Sequence, residues 1–106
     1  MFTTRIAWET LRSIDSATLT GSYQAVGTPL QFPSYICKLV NNSSSLVTIS
    51  INGESDVDVC PANSFWLYDE YKTQFREFLP AGTQIYVKGS AGTGSIYLVS
   101  QYLTIG

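Results

Sequence analysis

The C-terminal stretch Pro80–Gly106, PAGTQIYVKGSAGTGSIYLVSQYLTIG, constrains the fold more than any other part of the chain. It holds two runs of strand-forming residues, Thr83–Lys88 and Ser95–Leu103, joined by a loop of Gly, Ser, Ala and Thr. Ile85 and Val87 share one face of the first run, and Ile96, Leu98 and Ser100 share one face of the second. The opposite face carries Tyr86, then Tyr97, Val99 and Leu103. β-Branched and aromatic residues suit a pleated, buried surface. A strand that is apolar on both faces needs cover on both. The two runs are therefore expected to form a hairpin inside a sheet, with the upstream chain supplying the rest of a β-sandwich.

That upstream chain is rich in strand and turn signals. Leu46–Ile51 alternates cleanly, with Val47, Ile49 and Ile51 on one face and Leu46, Thr48 and Ser50 on the other. Asn52-Gly53 follows, a pair suited to a type I′ turn because both central residues there take φ > 0. Ser55–Cys60 is its expected partner strand. Ile36–Val40 and the aromatic-rich Ala62–Asp69 are further strands, Ser22–Val26 is a shorter one, and Asn41–Ser45 is a polar turn. Pro29 and Pro33 bracket Leu30–Phe32 and keep it out of a central strand. Residues 1–20 form an N-terminal arm or edge strand. Within them Arg5–Ile14 fits helical spacing nearly as well as alternation, and the all-β context favours a strand with Ile6 and Trp8 on one face. Glu70–Glu77 is expected as a hairpin arm or loop with a short helical turn. The sum is one all-β domain of 106 residues. Its fold class is an antiparallel β-sandwich, jelly-roll-like, with about eight short strands, the sandwich proper covering residues 21–106.

Chemistry is sparse. The absence of histidine removes the Ser-His-Asp and Cys-His constellations, the usual general base and the commonest metal ligand together. Cys37 and Cys60 alone fall short of a structural zinc site; reduced, buried thiols are the default expectation, with a disulfide left open should their two strands be neighbours. The Gly89–Ser95 loop lacks the Lys-Ser/Thr that ends a phosphate-binding loop, and a strand follows it where a helix would be needed. It is expected as a flexible hairpin tip, free or gripped by a neighbouring subunit. Glu54, Asp56 and Asp58 alternate on one strand face. They suit a solvated hairpin face better than a Ca²⁺ site or a glycosidase pair. No cofactor is expected, and no enzymatic activity.

Composition points instead to contacts. Charged residues make up 13% of the chain, against about 25% in a typical soluble protein, and there are seven Tyr. Such a surface suits burial against neighbours. The six basic residues are scattered and the net charge is −2, so no stripe exists for a phosphate backbone and nucleic acid is not expected as a partner. No apolar run approaches the ~20 residues that span a bilayer, so no membrane is expected either. The aromatic cluster Phe65, Trp66, Tyr68, Tyr71, Phe75 and Phe78 could stack sugars, with Asp69 beside it. A subunit interface is the preferred use. Tyr23, Phe32, Tyr35, Trp66, Tyr68, Tyr71, Gly89, Gly92 and Gly94 are the expected contact residues.

Several segments occur together in order: Gly27-Thr28-Pro29-Leu30, Pro33, Ile36–Asn41, Ser50-Ile51-Asn52-Gly53, Pro61-Ala62-Asn63-Ser64-Phe65, Leu67-Tyr68-Asp69, Pro80–Lys88 and Gly92–Tyr97. From Tyr23 onward this order resembles small virion structural proteins of tailed bacteriophages, of the capsid-decoration or neck, tail and fibre-base accessory type. The resemblance implies a many-copy homo-oligomeric β-sandwich subunit without a catalytic role. It also implies partners among capsid, portal or neck and tail subunits, and assembly in the host cytoplasm into the virion. The alternative left open by the aromatic cluster is a carbohydrate-binding module for host-surface glycans.

Overall fold

The computed structural model describes residues 4–34, 36–69 and 79–105, excepting the side chains at positions 4, 69 and 105. Alternation builds nearly every element. In Ile36–Ser43 the side chains of Cys37, Leu39, Asn41 and Ser43 are buried and those between them are not. Val47 and Ile49, Ile85 and Val87, and Ile96 and Leu98 are likewise buried in alternate positions. The described strands are β1 Thr4–Trp8, β2 Arg12–Asp15, β3 Gln24–Ala25, β4 Ile36–Ser43, β5 Val47–Ser50, β6 Asp58–Cys60, β7 Ser64–Asp69, β8 Tyr86–Gly89 and β9 Gly94–Ile105. A short 3₁₀ turn, Ser16–Thr18, is capped by the Asp15 side chain.

The strands form two antiparallel sheets. The first runs β1-β9-β4-β7, with β2 also on β9; the second runs β3-β8-β5-β6. β1 pairs with residues 101–105 of β9 and β2 with residues 95–98, so together they make one interrupted edge strand. Counted that way there are eight strands. The first pairs with the eighth, the second with the seventh, the third with the sixth and the fourth with the fifth. A long antiparallel hairpin rolled on itself gives this pairing, which is the jelly roll. Leu39, Ile49, Ile85, Val87, Ile96 and Leu98 fill the space between the sheets and are fully buried. Each contributes on the order of 1.5–3 kcal/mol of apolar burial.

Three local expectations change. The C-terminal pair is not a hairpin, because β8 lies in the second sheet and β9 in the first. Ile85 and Val87 face Ile96 and Leu98 across the core. Alternation specifies which face is buried and leaves the neighbour open. The Asn52-Gly53 turn is wider than two residues: β5 and β6 pair as Thr48↔Val59 and Ile49↔Asp58, which leaves residues 51–57 as a loop. There the Ser50 hydroxyl accepts from the N–H of Asn52 and Gly53, and the Asn52 side chain accepts from the N–H of Glu54 and Ser55. These side chains replace the bonds that continued strand pairing would have made. Finally, Asn41, Asn42 and Ser43 extend β4 where a turn was expected. Asn41 is buried, and its amide donates to the carbonyls of Ser45, Cys60 and Pro61.

The break between β1 and β2 is itself structured. Arg12, 7% exposed, donates from Nε to Thr28 O (2.7 Å) and from Nη2 to Pro29 O (2.9 Å) and Glu9 Oε1 (2.8 Å). The Glu9 carboxylate also accepts from the N–H of Gln31 and Phe32. One ion pair thus ties the proline-bracketed loop to the sheet edge. The residue-level expectation for 70–77 falls outside the described residues.

Candidate interaction surface

The outer face of the first sheet is the feature that the fold leaves unexplained. Strand register arranges its side chains in rows across the sheet. Val40 stands between Tyr97 on β9 and Phe65 on β7, and Lys38 between Val99 and Leu67. Trp8, Gln101 and Ile36 form the next row, which ends in register at Asp69 on β7, and Ile6 faces Leu103 beyond it. Trp8 is 63% exposed, Phe65 60% and Leu67 47%. β9 is therefore apolar on both sides, as its sequence shows, while the second sheet covers only one of them. At ~4.8 Å between strands and ~3.3 Å per residue the patch measures on the order of 400 Å². That is within the ~300–600 Å² of the largest apolar patch on an ordinary monomer, a patch that is often functional.

At one end of the face, Lys38, Val40, Asn42, Asn63, Phe65 and Tyr97 line an open groove of about 570 Å³. Asn63 turns the chain into β7 with φ of 57°, a left-handed conformation that Asn tolerates better than most residues. Lys38 has no ion-pair partner among the described residues.

The structure redistributes the expected contact residues. Trp66 and Tyr68 belong to the inward side of β7, opposite Leu39 and Cys37, and pack against the core. The Trp66 indole N–H donates to Asp58 Oδ2 at 2.8 Å, closing the rim between β7 and β6. The rim offers space for a large ring and a polar partner for its N–H, so the bulkier aromatics turn inward. Phe65 and Leu67 are left outside. Phe32 stacks on Tyr102 with ring centroids 4.1 Å apart, so one of its faces is already taken. Tyr23 lies on the outer side of the second sheet; its phenol donates to Asp56, and Lys88 Nζ sits 4.7 Å from its ring centroid. Desolvation and the bond to Asp56 push its pKa up to about 12. Tyr35 and Tyr71 lie outside the described residues.

The glycine loop is not a free tip. Gly89 N–H donates to Thr20 O, Gly92 N–H to Ser16 O and Thr93 N–H to the Ser44 hydroxyl. Gly94 has φ of +95°, and a Cβ there would run into the Asn42 carbonyl. Gly89, Gly92 and Gly94 therefore serve close backbone packing inside one chain.

The other chemical candidates disperse. Asp56 pairs with Lys88 at 3.0 Å, and its pKa is lowered by the bonds from Tyr23 and Lys88. Asp58 holds Trp66, and Glu54 is exposed. These carboxylates do not share one strand face, since residues 54–57 belong to the loop. Among the described residues no three His, Cys, Asp or Glu side chains gather as a metal-binding group. Cys37 and Cys60 are free and buried. Burial pushes the Cys37 thiol up to about 12 and raises that of Cys60 as well, so both stay protonated.

Sequence reasoning missed two features. The Glu9–Arg12 staple has no motif, because the loop groups it holds are backbone atoms 16 to 23 residues away. The outward pair Phe65 and Leu67 was visible as one of two alternating sets, with nothing local to say which set faced out. Comparison with known protein families finds no matching family, and no characterised protein matches the sequence.

Proposed function

We propose that this chain is a non-enzymatic structural subunit of a virion, of the tailed-bacteriophage type that its sequence resembles. In this reading it oligomerises and attaches to the particle, as a capsid-decoration or neck or tail adaptor protein, and stabilises it. The observation that carries the reading is the outer face of the first sheet, where Trp8, Phe65 and Leu67 stand exposed around β9. Water contact over so much apolar surface costs free energy that a partner recovers. The low charge and the neutral polar surface elsewhere favour many repeated contacts. Its partners are other copies of itself and further virion proteins, met in the host cytoplasm and kept in the virion.

A second reading rests on the groove beside Phe65. The exposed ring of Phe65 and the half-buried ring of Tyr97, with Asn42, Asn63 and Lys38 around them, could stack and hydrogen-bond a sugar, as in a carbohydrate-binding module. Light scattering after size exclusion separates the two. The assembly reading expects a closed oligomer or larger species at micromolar concentration. A strict monomer that binds sugars through the Phe65 groove would replace it with the second reading.

A further inference from the structure

The molecule carries a second exposed apolar patch, on the other side of the sandwich. Ile51, Val57 and Val59 are each about half exposed. They lie in the 51–57 loop and in β6, which borders the second sheet. The loop folds over that sheet's outer face. Gly53 approaches the ring of Tyr86, and Asp56 reaches Lys88; both Tyr86 and Lys88 alternate with the fully buried Val87 and so point outward. The two apolar patches therefore face in opposite directions, and one copy can engage both at once.

Each also carries a charged side chain with no ion-pair partner among the described residues, and the two are opposite in sign. Lys38 stands in the middle of the first patch, between Val99 and Leu67, without a carboxylate partner among the described residues. The second patch carries Glu54, Asp56 and Asp58. Asp56 is committed to Tyr23 and Lys88, and Asp58 to Trp66. The Glu54 side chain has no such commitment among the described residues, and it is exposed.

We infer that copies of this chain associate head to tail, the outer face of the first sheet in one copy receiving the 51–57 loop and β6 of the next. This rests on the assembly reading above. Symmetry distinguishes it from the obvious rival. Two copies meeting face to face on the first sheet leave Ile51, Val57 and Val59 of both copies exposed to water. The head-to-tail contact sets Lys38 against Glu54 and apolar surface against apolar surface. An isologous contact closes at a dimer; a heterologous one makes a ring or a filament.

The test is a charge-reversal cycle read by sedimentation velocity, with circular dichroism confirming the fold of each variant. Lys38→Glu and Glu54→Lys are each expected to weaken association about tenfold or more, and the double variant to recover most of it. Ile51→Asp, on the exposed loop alone, should weaken association as well and does so without touching the first sheet. A wild-type protein that stops at a dimer overturns the inference. So does weakening by Lys38→Glu with no effect from Glu54→Lys and Ile51→Asp, a result that leaves the first sheet as an interface and removes the loop as its partner. A wild-type monomer at every concentration removes the assembly reading itself.

Discussion

Arg12→Ala is expected to destabilise the domain by about 3–5 kcal/mol, as removal of one partner from a buried ion pair does. Domains in general hold only ~5–15 kcal/mol in total. Four hydrogen bonds from one guanidinium explain the size of the effect: to Thr28, Pro29, Thr10 and Glu9. Without Arg12 the Glu9 side chain, 1% exposed, keeps its charge with only the N–H groups of Gln31 and Phe32 to satisfy it. The 27–32 loop loses its tether to the sheet edge, and Phe32 loses its fixed stack on Tyr102. Urea denaturation followed by circular dichroism measures the loss. A change below ~1 kcal/mol would show that the staple is incidental. Replacing both partners, Glu9→Gln with Arg12→Met, should cost less than Arg12→Ala alone, because no buried charge is left unpaired.

The same pair sets an acid limb of stability. Burial alone would raise the Glu9 pKa, but the Gln31 N–H, Arg12 and the Phe32 N–H outweigh it and hold the group below its ordinary 4.5. A folded pKa below the unfolded one means the native state binds fewer protons there. The contribution is fully present above about pH 4.5 and is lost as pH falls through the lower folded value. In Arg12→Ala this part of the acid dependence should shrink.

The second large effect is on association. Phe65→Asp combined with Leu67→Asp should reduce the assembly to monomer while leaving the melting temperature nearly unchanged. Both side chains point away from the core and are exposed in the single chain, so the fold gives up little. Within an interface each aspartate replaces a buried apolar anchor by a desolvated charge. Losses of ≥2 kcal/mol per anchor residue, roughly thirtyfold each, are typical of such sites. Unchanged mass by light scattering would take β7 out of the contact surface. The inward-facing neighbours behave oppositely: Trp66→Ala should lower stability and leave association alone.

Much of this fold was legible because alternation is written residue by residue. Ile85 with Val87, Ile96 with Leu98, and Val47 with Ile49 were paired on the right faces from sequence, and each pair is fully buried. What alternation leaves open is which strands lie side by side. β8 and β9 follow each other through a short glycine-rich link, the usual sign of a hairpin, yet they belong to different sheets. Side-chain capping by Ser50 and Asn52 likewise widened a turn that the Asn-Gly dipeptide made look tight. For the contact surface, composition and the two-sided character of β9 suggested a covered outer face. Which set of β7 faces outward was not legible, and Trp66 and Tyr68 lie on the inward side, against the core and, for Trp66, Asp58. Glu9 and Arg12 left no trace in sequence because the groups they satisfy are carbonyls and N–H groups, which every residue carries.

Hydroxyl-radical footprinting of the wild-type protein at high and low concentration, read by mass spectrometry, tests the outer face most directly. Trp8, Phe65, Leu67 and Tyr97 should be protected at high concentration and become labelled on dilution, in step with the fall in mass. Exposed residues elsewhere, such as Leu11, should label equally throughout. If Trp8 and Phe65 label at the same rate at every concentration while the protein remains an oligomer, the outer face of the first sheet is not the interface.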